Sequence, residues 1–322
     1  VNGGRLGAPV RAADLNNTLT INGDNHDSRL GGGITEGFTS EGLDYAVGSE
    51  GPSLTSETHN RNLILVHANN GVKGYFVSFD EVSATASDKV NNYLHPANQT
   101  SVAEVSALVE YTAKIDHYPS VSGTSVSFYF VSPPAEVNIE KSQSAVPDRY
   151  PGYPDHNRLE AIYDMDSEGN RNLATVIFPY NTSNAKADFQ KISGENFNGC
   201  SISQGNVVDF VYESSPEYTI QSGDINYQGD FCLARNADNS TSFYLVRNGQ
   251  YFAANNVGFE SDSPLTVYAM GNEGVIISES SAKVKLTGPG IQNVQFDPAV
   301  QILGSGSNFI EIQLSEGTFN FK

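Results

Sequence analysis

Apolar and polar residues alternate, or form short apolar runs, along most of the chain. Examples are "VSALVEYTAKI", "NLATVIFPY", "SFYLVRNGQYFAA" and "NFIEIQLSEGTFNF". Such segments recur about every 8–12 residues, and Gly, Asn, Asp or Pro usually marks the breaks between them. A period of two is typical of strands with one buried face. The pattern therefore predicts an all-β protein of the sandwich class with a small C-terminal β-sheet unit.

An early segment predicts a hairpin. Two apolar runs, "LILV" at residues 63–66 and "YFVSF" at residues 75–79, flank the turn-forming sequence "NNG". Runs of this composition around such a turn indicate two paired core strands. Three histidines, His59, His67 and His95, stand beside these strands or end the next one. We expect them to be mainly structural, with His95 the most buried, because "NYLHP" brings a strand to a proline stop.

The length of 322 residues allows one large core or two smaller ones. We expect residues 1–262 to form the sandwich and residues 263–322 to form a small meander, since the tail has short strands with polar turns. Helix-like spacing is found only in "NAKADFQKI", residues 184–192.

Composition supports a chain of strands and tight turns, because it includes 30 glycines and 14 prolines but only two methionines. The sequence has no apolar run near the ~18 residues of a membrane span. It begins at Val1, without an initiator Met or a signal-peptide pattern. We therefore expect a processed product or a piece of a longer chain, secreted to an extracellular or periplasmic location.

The net charge of −19 argues against bulk attraction to nucleic acid or to an anionic membrane. Cys200 and Cys232 are the only cysteines, and each lies in a strand-like segment. Two cysteines alone do not establish a disulfide. A bridge and two buried thiols both remain open from the sequence.

Common catalytic patterns are missing: the chain has no phosphate-binding glycine loop, no G-x-S-x-G, no HExxH and no cysteine pair at zinc spacing. No cofactor is expected, and the sequence does not identify catalytic residues. The densest polar cluster is "GDNHDSR", which contains His26 and Arg29. Such residues can act as a base, bind a cation or grip a carboxylate, although the pattern favours a simple polar turn after the preceding strand. His59 and Arg61 in "THNRN" present the same choice between a site and a strand-entry turn.

Four segments follow one another along the chain: "NNTLTINGDNHDSRLGGGITEGFTSEGLDYAVGS", "NRNLILVHANNGVKGYFVSFDEV", "NYLHP" and later "LATVIFPY". This ordered series resembles the C-terminal β-region of the heparinase II/III-like polysaccharide lyases. The family patterns are a strand of the type HNTxxING, a segment of the type GGxIxxF…YxxG, and a strand of the type YFVxxDxV. The resemblance covers roughly the first 180 residues and extends more loosely to the end.

The resemblance implies an activity and a missing part. These families join an N-terminal helical toroid to a large two-layer antiparallel β-sandwich (a supersandwich), and they cleave uronate-containing glycans such as alginate or glycosaminoglycans by β-elimination. A Tyr or His removes the C5 proton while Asn, His or Arg groups neutralise the uronate carboxylate. Most of those residues would lie before Val1. We therefore expect an acidic polysaccharide and a missing or separate helical domain as partners.

From the polar clusters and the resemblance we take five candidate substrate-binding residues: Asn16, His26, Arg29, His59 and Arg61. One departure from the family affects metal binding: Asn16 stands where the pattern HNT has a histidine that is often a structural metal ligand. Since an amide oxygen is a poor substitute for imidazole with zinc, we expect no metal. The alternative function is a noncatalytic carbohydrate-binding or surface-structural β-protein that shares only the scaffold.

Overall fold

The structure is a computed structural model that describes residues 17–24, 26, 32–50, 54, 57–69, 71–95, 100–105, 108–115, 124–143, 156–181, 186–238 and 240–322. Within these ranges the regular elements are 25 β-strands and one turn of 3-10 helix, Ile291–Asn293. All the neighbouring strands pair antiparallel, and the sheets pack as sandwiches. The predicted all-β sandwich class is confirmed.

The first twelve strands are β1 (Leu19–Ile21), β2 (Gly33–Thr39), β3 (Leu43–Ser49), β4 (Thr58–Val66), β5 (Tyr75–Ser83), β6 (Lys89–Leu94), β7 (Thr100–Val105), β8 (Leu108–Ile115), β9 (Thr124–Phe130), β10 (Glu136–Gln143), β11 (His156–Asp164) and β12 (Asn170–Asn181). The others are β13 (Asp188–Gly194), β14 (Phe197–Gln204), β15 (Val207–Ser214), β16 (Ile220–Ser222), β17 (Ile225–Gln228), β18 (Phe231–Ala237), β19 (Ser240–Ala254), β20 (Val257–Met270), β21 (Glu273–Ser278), β22 (Ala282–Thr287), β23 (Gln301–Gly306), β24 (Phe309–Leu314) and β25 (Gly317–Phe321).

The chain folds into two compact units. Unit 1 contains the described residues up to Thr39, together with Leu43–Ala68 and Gly74–Lys186, and unit 2 contains Ser40–Gly42, Asn69–Lys73 and Ala187–Lys322. The expected division between residues 262 and 263 falls inside the continuous strand β20.

Unit 1 is a two-layer sandwich. One sheet has the strand order β1-β6-β11-β10, and the other has the order β2-β3-β4-β5-β12-β9-β8-β7. Because side chains alternate between the faces of a strand, each sheet turns every second residue toward the other. The shared core contains Leu19, Ile21, Val90, Leu159 and Tyr163 from the smaller sheet and Val82, Phe128, Phe130 and Leu173 from the larger one.

The predicted hairpin is formed by β4 and β5. Their pairing runs from Val66 opposite Tyr75 to Thr58 opposite Ser83. Most residues of β5 are buried on both faces of the sheet. A polar side chain in such a buried strand needs hydrogen-bond or ion-pair partners. The polar residues of β5 and their partners form the candidate site described below.

Unit 2 is one thirteen-stranded sheet that folds over on itself. The long hairpin of β19 and β20 forms the bend. The first half of β19 pairs with β18 and its second half pairs with β17, while β20 pairs first with β22 and then with β21. Irregular register around Gly249 interrupts the β19–β20 ladder between these halves. Such irregularities bend strands, so one hairpin supplies strands to two layers.

The two layers of unit 2 enclose a single core. Tyr244, before the bend, stacks on Phe252, after it, with ring centroids 4.2 Å apart. The same core continues into the last strands, where Ile312 and Phe321 are buried. The strands after residue 262 therefore bury their apolar side chains with those of strands before it.

The helix-like segment at residues 184–192 is a strand where the structure describes it. Residues 184 and 185 lie outside the described residues, and β13 begins at Asp188. Phe189 is buried while its neighbours Asp188 and Gln190 are exposed, which is a period of two. The segment forms a strand because β13 pairs with β14. Its few apolar residues are not enough to stabilise an isolated helix of that length.

Both cysteines are free and buried. Cys200 pairs with Val211, and Val211 pairs with Leu233, so these three residues share one face of the sheet. Cys232 precedes Leu233 and points to the other face. The two thiols are therefore separated by the sheet, and no disulfide joins them. Burial raises the pKa of both thiols well above the ordinary value.

We predict that Gly249→Ala destabilises unit 2. A Cβ at this position would lie 2.3 Å from Cγ1 of Val246 and 2.9 Å from the carbonyl oxygen of Gln228. Overpacking of this kind costs about 1–3 kcal/mol. The control is Gly288→Ala, whose Cβ would meet only Cγ1 of Val257 at 3.8 Å. Urea unfolding measures the stability of both variants. Equal stabilities would contradict the close packing at the bend of the β19–β20 hairpin.

We also predict that neither thiol of the folded protein reacts with a disulfide reagent such as DTNB. Both are buried, and their raised pKa keeps them protonated near neutral pH. After unfolding in guanidinium, both should react, and a reducing agent should leave the melting temperature unchanged. A shift of melting temperature on reduction would indicate a disulfide.

Candidate functional site

Three of the five candidate substrate-binding residues fall within the described residues: His26, His59 and Arg61. Asn16 and Arg29 lie outside them. His59 and Arg61 are on β4, and His26 follows β1. The structure brings these three residues into one neighbourhood, since the charges of His59 and Arg61 both act on His26.

Strand pairing assembles the site. Arg61 on β4 lies directly opposite Asp80 on β5. His59 is two residues before Arg61 and therefore points to the same face of the sheet. On β5 that face also carries Val82, which belongs to the core between the two sheets of unit 1. The polar group is thus built into the sheet face that meets the smaller sheet.

The carboxylate of Asp80 is the centre of this group, and it is fully buried. Oδ1 accepts a hydrogen bond from Nε of Arg61 at 2.6 Å and lies 2.6 Å from Nε2 of His59. Oδ2 accepts from the hydroxyl of Ser78 at 3.0 Å and from the guanidinium of Arg61 at 3.3 Å. Each oxygen of the buried carboxylate is therefore paired.

Glu50 approaches His59 from the other side. Its carboxylate accepts a hydrogen bond from the backbone N–H of His59 and lies 3.4 Å from Nδ1 of the ring. His59, of which 5% is exposed, is thus held between two carboxylates. Glu50, His59, Arg61 and Asp80 together are called the charge cluster below.

The charge cluster ties the segment around β1 to the larger sheet of unit 1. The guanidinium of Arg61 donates to the carbonyl oxygen of Asn17 at 3.0 Å. His26 donates through Nε2 to the carbonyl oxygen of Leu19 at 2.8 Å. The side chain of Asn17 in turn accepts from the backbone N–H of His95 at 2.7 Å. The segment that resembles the family motif is therefore anchored on both sides of β1.

The pKa values follow from burial and charge. Burial alone would raise the pKa of Asp80, but the charge of Arg61 and the hydrogen bonds from His59 and Arg61 hold it well below its usual range. Burial raises the pKa of Glu50, and the charge on His59 opposes the change. The pKa of His26 is lowered, first by burial and then by the charges of His59 and Arg61.

The exposure of these groups decides what they can do. Asp80 and His59 are closed to solvent, so neither can reach a glycan without a rearrangement. Arg61 keeps 24% of its side chain exposed, and His26 is partly exposed. The cluster as a whole is a buried ion network with a cationic edge at Arg61, and His26 lies beside that edge.

Sequence reasoning missed Asp80 and Glu50. A signal for Asp80 was present in the hairpin, because residues equally distant from its turn pair with each other. That rule places Arg61 opposite Asp80 once Val66 is opposite Tyr75. For Glu50 no comparable signal exists, since its position depends on the loop between β3 and β4.

The expected order of burial among three histidines was wrong. His59 is the most buried of them, whereas His95 is partly exposed and 29% of the His67 side chain is exposed. The reason is tertiary, because His59 points into the space between the sheets. His67 contacts Asp44 with Nε2 and Oδ2 3.1 Å apart.

No group of three or more His, Cys, Asp or Glu side chains suited to a metal ion occurs within the ranges that the structure describes.

Among the residues placed in the structure, no helix has the length and apolarity to cross a membrane.

No family model matches the chain, and no curated protein matches it. Solved structures of heparinase III and of heparan sulfate lyase do match. A heparan sulfate lyase mutant from Pedobacter heparinus is 13% identical, over 64% of this chain and 29% of its own, with a TM-score of 0.46. A heparinase III crystal structure is 14% identical, over 64% and 30%, with a TM-score of 0.46. This chain thus spans less than a third of either structure. Likeness at this level carries no information about activity.

We predict that Asp80→Asn destabilises unit 1 by about 3–5 kcal/mol, because it leaves the guanidinium of Arg61 and the ring of His59 without their buried carboxylate partner. The matched control is Asp164→Asn. Asp164 is 66% exposed and lies 3.8 Å from the ammonium group of Lys89, so its loss should have little effect. Thermal and urea unfolding measure both. An Asp80→Asn variant as stable as the control would mean that the buried pair contributes nothing.

The pH dependence of stability should also change in this variant. The folded-state pKa of Asp80 is lowered from an unfolded value of about 3.9, so its contribution is present above that value and is lost as the pH falls through the folded pKa. Between pH 5 and pH 2 the parent should therefore lose more stability than Asp80→Asn. Parallel curves for the two proteins would contradict the lowered pKa.

Proposed function

We propose that this chain is the β-sandwich part of a secreted polysaccharide lyase that cleaves uronate-containing acidic glycans by β-elimination. A helical domain, in the same polypeptide or in a partner chain, would supply most of the catalytic residues. The observation that carries the proposal is the placement of the family-like segments. These segments fall mainly on strands of unit 1, and Arg61 from one of them and His26 from another lie in the same neighbourhood as His59.

The charge cluster supports a role in holding a substrate-binding edge. The guanidinium of Arg61 is fixed by Asp80 through two of its nitrogens and by the carbonyl oxygen of Asn17 through the third, while 24% of the side chain stays exposed. A preorganised cation of this kind suits a uronate carboxylate, because no side-chain freedom is lost on binding. Neutralising that carboxylate is what acidifies the C5 proton in β-elimination.

The net charge of −19 opposes binding of a polyanion. Screening weakens this opposition, because charges more than about 8 Å apart hardly interact at physiological ionic strength. Local cations then decide where the glycan binds. Arg61 is such a cation in unit 1, and Arg29 is expected to add to it.

The test is an absorbance assay for the unsaturated uronate that β-elimination produces. Heparan sulfate and alginate are incubated with this chain and, separately, with its natural full-length polypeptide or complex. We expect product only where the helical domain is present. Binding of an acidic glycan without any product from the full-length protein would favour the alternative, a noncatalytic carbohydrate-binding β-protein. The closed ion pairing of His59 and Asp80 is the observation that favours that alternative.

We predict that Arg29→Ala or Arg61→Lys weakens binding of an acidic glycan about tenfold, the effect of losing one charge-assisted hydrogen bond. Lysine keeps the charge of Arg61 but cannot reproduce the paired geometry. Lys283→Ala and Lys285→Ala in unit 2 are the controls and should bind like the parent. Isothermal titration with a melting curve for each variant makes the comparison. Equal losses at all four positions would mean that the positive charge acts diffusely.

A further inference from the structure

The outer face of the second layer of unit 2 carries a row of polar and aromatic side chains. Phe252 on β19 and Phe259 on β20 are buried in the core. Their neighbours Tyr251 and Glu260 therefore point outward, since side chains alternate along a strand. Gln228 on β17 pairs with Tyr251, and Tyr251 pairs with Glu260, so the three lie side by side across three strands.

One depression lies beside Tyr251, with a volume of about 320 Å³. Small residues form its floor, because Ala253 and Gly258 are direct partners across β19 and β20. Asp224 and Asn226 line the same depression. A second depression of about 520 Å³ adjoins it and is lined by Thr219, Gln228 and Gln250. Both share Asn226, Tyr251 and Glu260, so they form one open groove with the tyrosine in its middle, called the Tyr251 groove below.

The polar groups of the Tyr251 groove are available to a ligand. Within the described part of the chain, the side chains of Asn226, Gln250 and Glu260 have no hydrogen-bond or ion-pair partner. Gln228 is held in place, because its amide donates to the carbonyl oxygen of Pro216 at 2.9 Å. The groups also stand on strands and on the bend between them, so their spacing is set by the sheet.

The chemistry of the groove selects the ligand. Amide and carboxylate groups around an aromatic ring can form hydrogen bonds with the hydroxyl groups at the edge of a sugar ring. The face of the aromatic ring attracts the polarised C–H bonds of the sugar. Neither depression is lined by Lys or Arg, while Asp224 and Glu260 are both acidic. This charge repels uronates and sulfates. Few apolar side chains are offered to a peptide, and no metal-binding group is found among the described residues.

We propose that the Tyr251 groove binds a neutral oligosaccharide, with one sugar ring against Tyr251 and its hydroxyl groups bonded to Asn226, Gln250 and Glu260. The volumes of the depressions fall in the range of about 300–1,000 Å³ that is usual for ligand sites. This ligand class differs from the acidic glycan proposed for unit 1. The proposal does not depend on that function.

The experiment uses saturation-transfer NMR and isothermal titration with four neutral hexasaccharides: cellohexaose, xylohexaose, mannohexaose and laminarihexaose. At least one should bind, and Tyr251→Ala should weaken it about tenfold, because the stacking surface is removed. Tyr251→Phe keeps the ring and should bind within a small factor of the parent. Tyr180→Ala, in unit 1, is the matched control and should bind like the parent.

Three results would overturn the proposal: no binding of any neutral hexasaccharide, binding unchanged by Tyr251→Ala in a variant that melts like the parent, or binding of acidic oligosaccharides only. The Arg61→Lys variant separates this proposal from the function of unit 1. It should weaken binding of the acidic glycan and leave binding of the neutral hexasaccharide unchanged.

Discussion

The buried carboxylate of Asp80 sets the conditions for the rest of unit 1. A fully buried charge is unstable unless other groups satisfy it, and here Arg61, His59 and Ser78 surround it. These partners hold β4 against β5 in one register. Through Arg61 they also fix Asn17, just before β1. One carboxylate thus stabilises both the pairing inside the larger sheet and the attachment of the edge strand in the smaller one.

The same interaction limits the chemistry of the cluster. A histidine held between two carboxylates and excluded from solvent is well placed to stabilise the fold and poorly placed to exchange protons with a substrate. Arg61 differs from His59, because part of its side chain is exposed and it can present positive charge to solvent without giving up its own contacts. In the proposed function, the sandwich therefore positions a carboxylate-binding edge, and a helical domain supplies the proton transfers.

Unit 2 depends on a different constraint. Its apolar residues are spread over many short strands, and a flat sheet would leave one apolar face uncovered. The bend at Gly249 solves this by turning one sheet back on itself, with the rings of Tyr244 and Phe252 stacked across the corner. The outer face of the second layer is then free for polar side chains. The Tyr251 groove exists because small residues, Ala253 and Gly258, meet on that face.

Local patterns in the sequence determined the class of fold and the early hairpin. Alternation reports which residues are buried on a strand, and a turn sets the register of the two strands beside it, so the "NNG" turn already implied that Arg61 faces Asp80. The sequence also contained the ordered segments that resemble the lyase family. It could not decide whether His26 or His59 forms part of a site, since each also fits a simple turn.

Only the tertiary structure decided the features that depend on contacts between distant strands. Segment 188–194 became a strand because β14 pairs with it, and the two cysteines were separated because the pairing of β14, β15 and β18 turned them to opposite faces. His59 rather than His95 was buried because the smaller sheet of unit 1 covers that face. The division into units likewise follows from packing, which no single stretch of sequence contains. The physical reason is common to all of these: periodicity encodes the two faces of a strand, but the partner that covers each face is chosen by the whole chain.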